Sequence, residues 1–264
     1  MEISGNIRKM QSELKEPVEY TLVLGGTEVK MNELLGSQIS IEYLGEIHCV
    51  KCGRLTRKSF AQGYCYPCFT TAPETEECVL RPELCRAHEG VARDMEYAQK
   101  NCLIEQVVYL SITSGVKVGV TRNTQVPFRW IDQGAVQAIE LARTPNRYTA
   151  GLIEVHLKSS LDDKTNWRAM LKNEILAQDL IERKYAAIGT LPENLAVYAS
   201  SNDHITNIVY PVKSYPEKVG SMNLEKEPRI EGILEGIKGQ YLIFRGNKVI
   251  NIRNFGGYKV KLSY

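Results

Sequence analysis

Apolar and polar positions alternate most clearly at the two ends of the chain. VEYTLVL (18–24), TEVKM (27–31) and ISIEYL (39–44) combine alternation with β-branched and aromatic residues, and Gly25-Gly26 supplies a hairpin turn between the first two. The far end repeats the pattern: QYLIF (240–244) and KVINIR (248–253) flank Arg245-Gly246-Asn247, and Gly256-Gly257 leads into YKVKL (258–262). Neither end is long enough to bury a core alone. Pairing of the two ends into one small barrel or sandwich is therefore expected, with the middle of the chain as a large insertion. In that middle, 106–112 and 116–121 read as strands joined by Thr113-Ser114-Gly115, while GAVQAIELA (134–142) and YTAGLIEVHLK (148–158) have a helical period. A longer amphipathic helix is expected from about Asn166 to Ile188, burying Met170, Leu171, Ile175, Leu180 and Ile181. The fold class is α+β. The expected segments are 1–47 (β), 48–102 (cysteine-rich), 103–168 (small mixed sheet with helices), 169–204 (helical connector) and 205–264 (β, pairing with 1–47).

Composition adds little to this picture. With 264 residues, 43% hydrophobic and 24% charged, the chain is an ordinary globular sequence rather than a disordered or repetitive one. It has no apolar run of about 18 residues and no signal-peptide core, so a cytoplasmic protein without a membrane partner is expected. A net charge of +2 points to no polyanion by itself.

The cysteines change the picture. All 7 lie between Cys49 and Cys102, an odd number crowded into one region of a chain without an export signal, which argues for metal over disulfides. Cys49/Cys52 and Cys65/Cys68 form two CxxC pairs with Gly53 after the first, the spacing of a zinc ribbon whose second hairpin would turn at Gln62-Gly63-Tyr64. A redox dithiol is the competing reading. Cys78, Cys85, Cys102 and His88 could supply a second set, giving one or two structural Zn²⁺ ions. Cys102 could equally be an ordinary buried thiol, and His48 could enter a site beside Cys49.

Residues 106–166 carry the most specific order of groups: Tyr109, then Lys117-Val118-Gly119, Arg129-Trp130, Glu154 and Asn166. This order resembles the GIY-YIG nuclease superfamily, in which a hairpin bearing the two name motifs precedes a helix arginine, a metal-binding glutamate and an asparagine. Val107 stands where that family has its first glycine, and Lys117 where it has its second tyrosine. The resemblance implies a phosphodiesterase site. Glu154 would hold Mg²⁺ or Mn²⁺, and Arg129 would stabilise developing charge. Tyr109 would orient or deprotonate water with Lys117 as the nearby cation, and Asn166 would fix the glutamate helix. The whole chain also resembles an uncharacterised prokaryotic family with CxxC pairs before a signature read here at Gly119–Arg122, Arg129–Ala135 and Asp163–Arg168.

Local charge supports a nucleic-acid theme. Residues 106–150 hold five Lys/Arg against two acids, and 229–264 hold seven against two. Arg122, Arg143, Arg147, Lys248 and Arg253 are the candidate DNA or RNA contacts. The tail also interleaves Tyr241, Phe244, Phe255, Tyr258 and Tyr264 with its cations, which suits base stacking and equally suits a core strand with a basic outer face. The expected function is a zinc-stabilised protein acting on DNA or RNA, by metal-dependent cleavage or by binding alone. A zinc-stapled protein–protein adaptor is the third reading.

Overall fold

The structure, a computed structural model, describes residues 1–159 and 166–264. Positions 163–165 of the signature at Asp163–Arg168 lie outside the described residues. The chain forms two compact units, the first made of Met1–Thr70, Leu171–Asn173 and Ile208–Tyr264, the second of Thr71–Met170 and Glu174–Asn207. The α+β class holds, with several sheets and short helices.

The first unit is built on an eight-stranded sheet. Its order is Glu2–Asn6, Tyr258–Ser263, Gln38–His48, Arg229–Lys238, Tyr241–Phe244, Lys248–Asn251 and Gly220–Ser221, with Leu55–Thr56 paired on Gln38–His48. Strands from the two chain ends alternate in this order. A three-stranded sheet of Gln11–Glu13, Glu19–Leu24 and Thr27–Lys30 joins it through an Ile7–Leu24 bridge. The final strand shows how the pattern works: Tyr258, Val260 and Leu262 are buried while Lys259 and Lys261 face outward. Phe244 and Phe255 are buried too, so three of the tail's aromatics are core residues rather than a stacking platform. Lys238 is fully buried in this unit, where its Nζ donates to Asn173 Oδ1 at 2.9 Å and lies 5.4 and 5.3 Å from the ring centres of Tyr210 and Tyr215.

The second unit has a four-stranded sheet in the order Ile205–Asn207, Gln137–Thr144, Gln106–Ile112, Val116–Arg122. One face carries Val108, Leu110, Ile112, Val116 and Val118, covered by Ala150, Ile153 and Leu157 of the helix Arg147–Leu157 and by Leu180 and Ala187 of the helix Leu180–Gly189. Alternation puts Tyr109, Ser111, Lys117 and Gly119 on the other face.

Two expectations are corrected here. The stretch 134–142 is not helical; Gln137–Thr144 is a strand buried on both faces, which removes the alternation that would mark it. The helix expected over 166–188 is two helices, Trp167–Leu171 and Leu180–Gly189. Asn173 between them adopts φ +58°, and the Asp179 side chain caps the second by accepting from the Ile181 and Glu182 N–H groups. The segment 48–102, expected as one module, is divided between the units at Thr70, and 169–204 belongs to the second unit except for Leu171–Asn173.

Candidate functional site

The first cysteine group sits where the strand Gln38–His48 turns back into Leu55–Thr56. Cys49 N–H donates to Arg54 O at 2.9 Å and Gly53 N–H to Cys49 O at 2.9 Å, a tight knuckle with Gly53 at φ +72°. Phe60 and Tyr64 exchange backbone hydrogen bonds to close the second hairpin, and Phe69 N–H donates to Cys65 O at 2.8 Å. The knuckles gather the sulfurs of Cys49, Cys52, Cys65 and Cys68 within 4.8 Å of one another. Burial would raise the Cys49 thiol, but N–H groups of Cys52, Cys65 and Lys51 outweigh it and bring it down to about 6. Desolvation and hydrogen bonds with the neighbouring thiols push Cys68 up to about 12. Sulfurs this close share full deprotonation only with a cation among them, so the group is suited to hold a metal ion such as zinc.

The second group comprises Cys78, Cys85 and Cys102, all buried, with sulfurs again within 4.8 Å. Two short turns, Glu77–Val79 and Pro82–Leu84, and the helix Met95–Asn101 deliver them. His88 is not part of the group; its ring stacks on Tyr148 at 4.3 Å. Arg147 is. Expected on the surface as a nucleic-acid contact, it is buried, with Nη1 3.8 Å from Cys78 Sγ and Nη2 donating to Asn101 O at 3.4 Å. Hydrogen bonds from Cys102 and Cys78, aided by the Arg147 charge, hold the Cys85 thiol far below its usual range, while hydrogen bonds with Cys78 and Cys85 and burial raise Cys102 against the Arg147 charge. This trio is also placed to hold a metal ion.

The third cluster lies on the other face of the second unit's sheet. Tyr109 pairs with Gly119 across the hairpin, and its ring lies over that glycine so closely that a Cβ there would come within 2.6 Å of the hydroxyl. The helix Phe128–Asp132 brings Trp130 edge-on to the tyrosine ring at 5.8 Å, and Gln133 Oε1 accepts the phenol proton at 2.8 Å. Burial raises the phenol above its usual value, opposed by the charge and hydrogen bonding of Arg129, while Glu154 acts on the same hydroxyl with the opposite sign. The Arg129 and Glu154 charges therefore both act on the phenol, with Glu154 carried by the helix that covers the opposite face of the sheet. Arg129, rather than Lys117, is the foremost cation acting on the phenol. Lys117 is buried on the same face, opposite Ser111.

Glu154 brings a neighbour that the sequence did not suggest. Gly151, one turn earlier on its helix, lets the backbone of Pro82-Glu83 approach so closely that a Cβ would lie 2.2 Å from Glu83 N. Desolvation raises the Glu154 carboxyl, Lys158 (Nζ–Oε2 3.6 Å) opposes this, and Glu83 reinforces it. Glu83 Oε2 is buried without a hydrogen-bond partner among the described residues, as are Ser111 Oγ and Trp130 Nε1. Two carboxylates that act on one another, one with an orphaned oxygen, suit a divalent cation, with Arg81 Nε donating to the other Glu83 oxygen, Oε1, at 3.3 Å. Nothing in the local sequence around Glu83 signals this, because the approach depends on a glycine 68 positions later.

The remaining expected residues lie elsewhere. Asn166 does not fix the Glu154 helix; its Oδ1 accepts from Ala169 N–H at 3.2 Å, capping the next helix. Arg122 donates to the Asn101 side chain. Arg143 is held by two carboxylates, Glu140 (2.9 and 2.6 Å) and Glu105 (2.6 Å), which occupy the guanidinium that would grip a phosphate. Lys248 is exposed at a strand end, and Arg253 Nε donates to Gln62 Oε1 at 2.6 Å. Among the described residues no helix is long and apolar enough to cross a membrane.

No curated protein and no solved structure matches the chain. A family profile described as DUF2797, protein of unknown function, matches residues 36–260. That span is most of the chain, and the protein belongs to this family.

Proposed function

We propose that the protein acts on nucleic acid by metal-dependent phosphodiester cleavage at the Tyr109–Arg129–Glu154 cluster, on a scaffold stapled by zinc at its cysteine groups. The observation that supports this reading is that the Arg129 and Glu154 charges both act on the buried Tyr109 hydroxyl, while the Glu83 charge acts on Glu154. Glu154 and Glu83 are the residues to hold Mg²⁺ or Mn²⁺, which when bound supplies Lewis-acid stabilisation of a phosphate oxygen. Arg129 offsets the charge that develops on the phosphate, its planar fork matching two oxygens. Tyr109, protonated at neutral pH because of its burial, orients a water through its hydroxyl with Gln133 as the fixed partner.

A second reading, binding without turnover, draws on the full burial of Tyr109. Labelled single- and double-stranded DNA and RNA, incubated with the zinc-loaded protein and Mg²⁺ or Mn²⁺, separate the two. Cleavage lost by about 10²–10³-fold or more in Arg129→Ala and Glu154→Gln is the expected result. Salt-sensitive binding with no products selects the second reading. No affinity for any polyanion removes both and leaves a zinc-stapled adaptor.

A further inference from the structure

A polar cleft lies within the first unit, lined by no residue of the cleavage cluster. Its volume is about 640 Å³, within the usual range for small-ligand sites. One wall is the ribbon segment 57–62, and the other is formed by residues 221–225 and 251–258. Close backbone crossings lock the walls together. A Cβ on Gly256 would meet Gln62 O at 2.4 Å, and one on Gly257 would meet His48 O at 2.1 Å. The Arg253–Gln62 hydrogen bond ties the same two segments.

The lining is rich in donors. Arg57 and Lys58 are exposed and form no ion pair among the described residues, although Lys58 lies over the Phe60 ring at 5.3 Å. Asn223 Oδ1 accepts the Glu225 N–H at 2.7 Å and Asn251 Oδ1 accepts the Arg253 N–H at 3.1 Å. With their oxygens fixed, both amides have their NH₂ groups as the remaining polar end. The cleft's one carboxylate, Glu225, accepts the Tyr258 hydroxyl at 2.5 Å. Two uncompensated cations and oriented amide donors suit an anion with many acceptor oxygens.

We infer that this cleft, between the ribbon's outer loop and the C-terminal sheet, binds the phosphate of a nucleotide, free or as one unit of a strand. The inference rests on the nucleic-acid reading above for the strand, and places its grip at a site separate from cleavage. Because the ribbon forms one wall, the metal at Cys49, Cys52, Cys65 and Cys68 shapes the cleft as well as the knuckles.

The test is fluorescence anisotropy of a labelled 12-mer of single-stranded oligouridylate and, separately, competition by uridine monophosphate, using zinc-loaded full-length protein without added Mg²⁺. Expected is a loss of tenfold or more in oligonucleotide affinity for Arg57→Glu/Lys58→Glu, with a salt slope smaller by about 2. Arg57→Gln/Lys58→Gln should show a smaller loss, and zinc content should be unchanged in both. Competition by uridine monophosphate in wild type but not in the charge-reversed variant also supports the site and assigns it to free nucleotides. Wild-type affinity retained in both variants overturns the inference while leaving the cleavage reading standing. No wild-type affinity for either probe overturns the inference and removes its nucleic-acid premise.

Discussion

The two units gather their cysteines in opposite ways. In the ribbon, four thiols sit on knuckles near the surface, with Cys52 exposed, and no side-chain cation of the protein is needed to complete the set. A divalent ion there carries two surplus negative charges, which backbone N–H groups and solvent share. In the second unit, three buried thiols face the buried guanidinium of Arg147. A divalent ion with three thiolates would carry one surplus negative charge, which the Arg147 guanidinium would offset where water is excluded. The group with Cys52 exposed is the wetter of the two sites, and the fully buried trio is the drier one, with a cation beside it. The same contrast separates two of the buried cations. Arg147 faces ionisable thiols, whereas Lys238 in the first unit meets an asparagine and two tyrosine rings.

The largest expected effect tests the wet site. Cys52→Ser should release one metal ion per chain and open the ribbon to protease, because binding worth about 10–16 kcal/mol at such sites is folding energy. Elemental analysis and proteolysis mapping read both, and loss of metal with an unchanged digest would break the comparison. Next is Lys238. Burial lowers its ammonium from 10.5 to about 8, so between those values the unfolded chain binds the extra proton and stability rises with pH. The rise is on the order of 3 kcal/mol and should vanish in Lys238→Met, as followed by denaturant unfolding of the first unit at pH 8 and 10. Arg147→Met should weaken the dry site's metal affinity about 10–100-fold in chelator competition and leave the ribbon's unchanged. Gly151→Ala forces a methyl group into the Pro82-Glu83 backbone and should cost about 1–3 kcal/mol of second-unit stability in thermal melts. His88→Ala should change metal content least of all, since that ring stacks on Tyr148; a lost ion would make His88 the fourth ligand.

Legibility in the sequence followed the range of the interactions. The ribbon could be read because its knuckles are local, with CxxC and the following Gly53 within five residues. The terminal strands could be read from alternation, which one buried face imposes. The strand Gln137–Thr144 could not, since burial on both faces removes the alternation and leaves apolar residues on both sides of Glu140, a spacing that also suits a helix. Arg147 looked like a surface base because Cys78, its partner, lies 69 positions away. Glu83 was missed for a similar reason, its role depending on the bare backbone at Gly151. The tail's aromatics fitted two descriptions, and only register against Gln38–His48 distinguishes them, turning Tyr258 inward.

The interleaving of the sheet has a consequence for synthesis. Gln38–His48 lies between Tyr258–Ser263 and Arg229–Lys238, so an early strand waits for partners made long after it. Until those partner strands leave the ribosome, most of that early strand's hydrogen-bonding edges stay open and exposed to wrong partners. The second unit, complete by Asn207, has no such wait and can settle while the first is still half made.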